Sequence, residues 1–366
     1  MPDAAPLSTS AAFAPDLRGT KALVIGGTGF VGRRLLPALI AAGAEVTLLA
    51  RSRPSGLLQG VRVLRGELGN RACLSAAVAG QEVVFNLAYD VRASAATNLA
   101  AFDGLLAALT AAAAGPGTAP RLIHTSSAVV YDDWPHGQLD ERSAMKGPVG
   151  PYAAAKRQME ERLMAAHFPA AILQPTIVWG PGSALWTDGF AEVLRQGGRI
   201  FLPVPEGLCQ GVFVDDLVQA LLRAACLPDL GQERFLINGP QPFRWSELID
   251  GYRVILGRGS IALLPAADLA PPTEPAPPPI DSGPSLAARI SAAGRRAIGH
   301  DRFEALLRRA RRLKGPKDLR PDAHLFALFC AAGSCPATLA QKRLGYRPVY
   351  DLTNGLQATA KHLRQS

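Results

Sequence analysis

At 366 residues, with 48% hydrophobic and 19% charged side chains, the chain is too apolar for a disordered protein and too long to need disulfide stapling. Lys and Arg number 39 against 30 Asp and Glu, a net charge of +9 that suits an acidic ligand without specifying one. The five cysteines (Cys73, Cys209, Cys226, Cys330 and Cys335) form no CxxC pair and read as free thiols of a reducing cytoplasm, with no metal site.

Residues 1–18 are rich in Ala, Pro and Ser, without the charged and apolar regions of a signal peptide, and read as a loose leader. No apolar run reaches the length of about 18 residues that a membrane span needs. The stretch Ala93–Ala114 comes nearest and is interrupted by Asn98 and Asp103, so the chain reads as soluble, with no membrane span and no nucleic-acid partner. From Lys21 onward, apolar runs alternate with helical patterns. Strands are expected over Lys21–Gly26, Glu45–Ala50, Val61–Leu64, Glu82–Ala88 and Arg121–Ser126, and a helix over Phe30–Ala42. Apolar runs without alternation, separated by helices, predict a doubly wound parallel sheet covered on both faces, an α/β Rossmann fold. Further on, helices are expected over Pro151–His167, Asp215–Ala225 and Ser246–Leu256, and strands over Ala170–Val178 and Arg234–Asn238.

This divides the chain into the leader, a dinucleotide-binding domain over 19–178 and a mainly substrate-binding region over 179–366, with Rossmann elements returning at about 205–240. Eight prolines fall between Pro265 and Pro284, a loop of polyproline character. Ten Lys or Arg against three acids lie between Arg295 and Arg320, with Phe303, Leu306, Leu307, Ala310 and Leu313 at helical spacing. A surface helix with a solvated basic face is the plain reading; a lid or an anionic contact is the sharper one.

Gly26, Gly29 and Gly32 form a GxxGxxG pattern between the first strand and the first helix. Glycines there permit a tight turn and close backbone approach to a pyrophosphate, which the N–H groups of the following helix then face. The second strand runs into Arg51-Ser52-Arg53, where an enzyme reading a ribose 2′-hydroxyl would carry an acid. Guanidinium groups match a 2′-phosphate, so NADP(H) is expected over NAD(H). Tyr152 and Lys156 stand one helical turn apart at a predicted helix start with Pro151 in its first turn. A nearby ammonium and the helix dipole would favour phenolate and lower the tyrosine pKa, fitting it for proton transfer to a carbinol or carbonyl oxygen. The hydroxyls of Ser126 and Ser127 follow the fifth strand, where open α/β sheets bind ligands. His124 in that strand reads as a core histidine.

In order along the chain, GGTGFVG, NLA at 86–88, Asn98, SSAVVY, YAAAK, QPTIVWGPG at 174–182, FVDDL at 213–217 and LGYRP at 344–348 resemble the extended short-chain dehydrogenases/reductases, the group that includes the NAD(P)-dependent epimerases and dehydratases. The resemblance implies a Rossmann domain with a smaller C-terminal region closing over the substrate. It implies catalysis by Ser127, Tyr152 and Lys156, with Asn98 matching an asparagine of the fourth helix. For the cofactor it implies contacts from Gly26, Thr28, Gly29, Phe30, Val31, Gly32, Arg51, Ser52, Arg53, Glu67, Leu68, Leu87, Ala88, Pro175, Ile177 and Val178, besides Tyr152 and Lys156. Glu67 stands where the family usually has an aspartate. On the substrate side, Ser127, Val129, Trp179 and Trp186 are the candidates. Family members often dimerise through the YxxxK helix, so a homodimer is expected.

Two departures bear on the substrate. The acidic pair that dehydratases carry after the catalytic hydroxyl is Ala128 and Val129 here. The arginine that commonly binds a nucleotide diphosphate is Cys209, and the family's LRP arginine is Gln174. The expectation is an NADP(H)-dependent oxidoreductase interconverting C–OH and C=O on a neutral or weakly charged small molecule. An epimerase with retained cofactor and a non-catalytic dinucleotide-binding scaffold are the alternatives.

Overall fold

The computed structural model describes residues 15–52, 54, 56, 59–115, 119–271 and 318–365. Arg53, most of the leader, most of the proline-rich loop and most of the basic stretch lie outside the described residues.

The first half alternates as the apolar runs predict. It comprises β1 (Lys21–Ile25), α1 (Phe30–Ala41), β2 (Glu45–Ala50), β3 (Arg62–Arg65), α2 (Arg71–Val78), β4 (Val83–Asn86), α3 (Ala95–Ala113), β5 (Arg121–Thr125), α4 (Pro151–Met164) and β6 (Ala170–Pro175). The second half holds β7 (Ile177–Trp179), α5 (Asp188–Arg195), β8 (Arg199–Val204), β9 (Leu208–Cys209), β10 (Gly211–Phe213), α6 (Val214–Ala225) and β11 (Gln232–Ile237). It continues with β12 (Phe243–Arg244), α7 (Trp245–Leu256), β13 (Ser260–Pro265), α8 (Ala266–Leu269), α9 (Ala323–Phe329), α10 (Thr338–Arg343) and α11 (Leu352–Gln365). Seven strands form one parallel sheet in the order β11-β6-β5-β4-β1-β2-β3. Order reverses between β1 and β4, and at such a switch point the strand ends open a ligand crevice. The central strand β4 is buried at every residue, because helices cover both faces. One face packs Leu35, Leu39, Leu217, Leu221 and Tyr346; the other packs Leu74, Leu105, Leu109, Met159 and Leu163.

The expected single strand over Ala170–Val178 is two strands. At Thr176 the chain leaves its partner β11 and, from Ile177, bonds to Gln210 and pairs with β10. This hand-over carries it from the large sheet into the second lobe. There Trp179, Phe190, Phe213, Phe243, Trp245 and Phe329 build a separate aromatic core. Strands β8 and β13 pair in parallel, and neither was expected from the sequence. Residues 318–320, placed at the end of the basic helix by their periodicity, lie beside β8 instead: Leu319 exchanges two backbone hydrogen bonds with Arg199 and Phe201.

Helix α3 is long and apolar enough to cross a membrane by length and composition, yet one face is packed into the core beside α2 and α4. Its outer face is small: Ala96, Thr97, Ala100, Ala107, Thr110 and Ala111 are exposed.

Candidate active site and dinucleotide cradle

The loop after β1 turns at Gly26, whose φ of +83° is the left-handed region that glycine alone enters freely. A Cβ at Gly26 would lie 2.9 Å from the backbone of Leu87 and Ala88; one at Gly32 would lie 2.4 Å from Gly27 Cα. Glycine at both positions therefore lets the β1–α1 turn lie against the end of β4 and α1 pack against the turn. Gly29 caps α1 without a side chain, and no acid stands in the first turn. The first N–H groups of α1 thus face outward with no side chain answering them, and Thr28 and Gly29 are exposed beside them. That arrangement fits a dinucleotide pyrophosphate. Arg51 and Ser52 are exposed just past the end of β2. Glu67 is exposed and Leu68 half-buried after β3, while Leu87 and Ala88 are half-buried after β4. Pro175, Ile177 and Val178 line the hand-over from β6 to β7.

Tyr152 starts α4, with Pro151 at the first helical position, and Lys156 follows one turn later. The Lys156 ammonium is buried and donates to the Thr125 carbonyl at 2.8 Å, tying α4 to the end of β5. Burial lowers its pKa to about 8, with Glu160 working the other way. Ser127 caps a 3₁₀ turn over Ala128–Val130 and interacts with the Tyr152 phenol. That bond lowers the phenol pKa, but desolvation and the neighbouring Tyr89 outweigh it and push Tyr152 up to about 12. The direction is opposite to the sequence expectation, because the phenol oxygen is poorly solvated and Tyr89 adds to the effect. Although Tyr152 is 40% exposed overall, it is held as a neutral phenol.

Asn98 is engaged by the backbone of the loop after β4 and of the start of α3. Its amide donates to the Asp90 and Ser94 carbonyls at 3.0 and 3.1 Å and accepts from the Asp90 N–H at 2.8 Å. It fastens the β4–α3 loop, with its amide N–H groups taken up by backbone carbonyls. Trp179, a substrate candidate by sequence, lies in the core of the second lobe. It is 1% exposed, wedged between Phe213, Phe243 and Gly355. Trp186 is half-buried against Trp245 and keeps an open face, and Val129 is half-buried beside Ser127.

Gln174 is corrected as a clue to the substrate. It is buried, donates to both Glu160 oxygens at 3.0 Å and accepts from the Tyr131 hydroxyl at 2.6 Å. An arginine there would meet Glu160, not a substrate. Arg234 of β11 meets it instead, at 2.7 Å. Cys209 is buried in the aromatic core with its thiol pKa pushed up by desolvation, so it supplies no charge.

The FVDDL motif is a clamp: Asp215 pairs with Arg34 of α1 at 2.6 Å, and Asp216 accepts from the Val349 and Tyr350 N–H groups at 2.9 and 3.1 Å. His124 is buried, held neutral by desolvation and bonded to Asn86. Sequence reasoning missed Tyr89, whose ring meets Tyr152 edge-on at 4.9 Å and lies under the Lys156 ammonium at 5.1 Å. Its signal was an aromatic residue directly after the NLA strand end.

In sequence and in fold the chain is similar to known proteins. A model of the NAD dependent epimerase/dehydratase family matches residues 22–238. A 2-alkyl-3-oxoalkanoate reductase of Stenotrophomonas maltophilia is 30% identical over 259 residues, 65% of this chain and 76% of the relative. A ceramide reductase of Caulobacter vibrioides is 28% identical over 257 residues, 67% of this chain and 73% of the relative. A 4-hydroxy-2-methyl-3-oxo-4-farnesyl-3,4-dihydroquinoline-1-oxide ketoreductase of Stigmatella aurantiaca is 28% identical over 228 residues, 60% of this chain and 68% of the relative. Among solved structures, UDP-glucose 4-epimerase of Thermotoga maritima shares the fold with a TM-score of 0.66 at 18% identity, covering 94% of this chain and 99% of its own.

Proposed function

The chain belongs to the NAD-dependent epimerase/dehydratase family, and from that premise we propose that it is an NADPH-dependent ketoreductase acting on a ketone with an apolar body. An NAD(P)-dependent oxidoreductase is the coarse reading that its reductase relatives support. The observation that carries the reductase reading is the meeting of Tyr152 and the buried Lys156, one turn apart on α4, with Ser127 at the end of β5, the Lys156 ammonium being fixed 2.8 Å from the Thr125 carbonyl. A phenol beside a hydroxyl and an ammonium can pass its proton to a carbonyl oxygen, as reduction of a ketone requires.

In this reading the β1–α1 turn and the start of α1 hold the pyrophosphate, and Leu68 with Glu67 flanks the adenine. Arg51, with Ser52 beside it, takes the 2′-phosphate through charge-assisted bonds. Leu87, Ala88, Pro175, Ile177 and Val178 line the nicotinamide end. When bound, the reduced nicotinamide supplies hydride to the carbonyl carbon. Ser127 holds the ketone oxygen, Tyr152 passes its proton to that oxygen, and Lys156 supplies positive charge behind the phenol as it loses the proton.

The apolar body is supported by side chains on the loops that follow β4, β5 and β7. Val91 is 80% exposed and Leu185 is 71% exposed, and Val129 and Trp186 are partly open. The names of the three relatives pair reduction with alkyl, farnesyl and ceramide substrates. Uncharged Cys209 gives a nucleotide diphosphate no cation. A homodimer through α3 and α4 belongs to the same proposal, since the small outer face of α3 permits close helix packing.

The test is NADPH oxidation followed at 340 nm with a 2-alkyl-3-oxoalkanoate and with UDP-glucose. Turnover with the oxo acid and none with the sugar nucleotide is the expected result. Micromolar binding of UDP or dTDP in the presence of cofactor would favour the epimerase instead.

A further inference from the structure

We propose that Tyr89 is a positioning residue of this site, whose ring keeps the Lys156 ammonium charged and braces the ring of Tyr152. The assignment depends on the proposed function only for its kinetic consequence, since the state of Lys156 is measurable without turnover.

Three groups meet at one point. Tyr89 leaves the end of β4 on a loop that Asn98 fixes through the backbone of Asp90. Its ring meets the Tyr152 ring perpendicularly at 4.9 Å, the edge-to-face arrangement that aromatic pairs favour. The Lys156 ammonium lies 5.1 Å from the Tyr89 centroid and 5.9 Å from the Tyr152 centroid, both within cation–π reach. Lys156 needs this. It is buried, no carboxylate forms an ion pair with it among the described residues, and its one hydrogen bond goes to the Thr125 carbonyl.

The other charged and titratable groups around Lys156 are few. Glu160 on α4 favours the charged amine and is itself engaged by Gln174 and Arg234. His124 on β5 is neutral. Tyr152 is a neutral phenol. Burial has already brought Lys156 down to about 8. A site that must stay cationic at neutral pH therefore has little margin, and the electron-rich face of Tyr89 helps to hold it. No hydrogen bond of the Tyr89 hydroxyl is found among the described residues, so the ring, not the hydroxyl, carries the effect.

The experiment is selective ¹³Cε-lysine NMR on the full chain, with the Lys156 signal assigned by its loss in Lys156→Met, titrated in the wild type, Tyr89→Phe and Tyr89→Leu. In Tyr89→Phe the Lys156 midpoint stays within about 0.3 units of the wild type. In Tyr89→Leu it falls by about 0.5–1 unit, the range expected for loss of one desolvated cation–π contact. Pentafluorophenylalanine incorporated at position 89 keeps the ring shape and reverses its quadrupole, so it lowers the midpoint even if Tyr89→Leu fails to fold. An unchanged midpoint with the fluorinated ring, or a fall in Tyr89→Phe as large as in Tyr89→Leu, would overturn the assignment. In kinetics, the alkaline limb of kcat/KM moves down in Tyr89→Leu and is restored in Tyr89→Phe. Absence of turnover in the wild type would count against the proposed function and leave the NMR result standing.

Discussion

Arg234→Met removes the cation from a carboxylate that has no access to water. Glu160 is fully buried, and its charge is met by Arg234 at 2.7 Å and by the Gln174 amide at 3.0 Å to each oxygen. Removing one partner of a buried pair leaves an uncompensated charge, at a cost of about 3–5 kcal/mol. Because the Gln174 amide still donates, the expected loss lies at the lower end, about 3 kcal/mol. Adding Glu160→Gln to Arg234→Met removes the stranded charge, so the double variant recovers more than half of the loss. Urea unfolding followed by tryptophan fluorescence reads both, as a lower midpoint for Arg234→Met that returns toward wild type in the double variant. A loss below about 1 kcal/mol, or a double variant as unstable as the sum of the single ones, would refute the claim that Arg234 replaces the missing arginine at Gln174.

Tyr152→Phe removes one oxygen and leaves the fold, so turnover falls by about 10²–10⁴-fold while NADPH affinity, read by fluorescence titration, is unchanged. Arg51→Asp weakens NADPH by about 1.5–3 kcal/mol and leaves NADH nearly unaffected; calorimetry with both cofactors checks this, and equal wild-type affinity for the two would defeat it. Asp216 is raised to about 7 by burial, so between about pH 4 and 7 the folded chain holds a proton that the unfolded chain has lost. Its contribution to stability is therefore present below about pH 4 and lost as pH rises through 7. Urea midpoints measured from pH 4 to 8 should fall more in the wild type than in Asp216→Asn.

The order of strands and helices was legible because each buried strand of a parallel sheet is a continuous apolar run and each connecting helix carries its own period. β2, with Thr47 as its one polar interior residue, was placed to the residue. The hand-over at Thr176 was not, since Ala170–Val178 stays apolar while changing partner, and a change of partner leaves no mark on composition. The pairs β8–β13 and β9–β12 join segments far apart in sequence, which local periodicity does not register. At the site, the glycine loop and the spacing of Tyr152 and Lys156 were legible because the chemistry is local. Trp179 and Gln174 misled because sequence position does not tell which way a side chain faces. The pKa of Tyr152 depends on desolvation, Tyr89 and Ser127 together, which meet only in the folded chain.

The most direct test of the ketoreductase reading is isotopic. The protein is incubated with a 2-alkyl-3-oxoalkanoate and NADPH carrying deuterium at C4 of the nicotinamide, and the product is analysed by mass spectrometry. The account predicts a secondary alcohol with one deuterium on the carbinol carbon, formed in proportion to NADPH consumed and lost in Tyr152→Phe. Release of NADP without deuterium in any product, or epimerisation of UDP-glucose with no net consumption of NADPH, would contradict it.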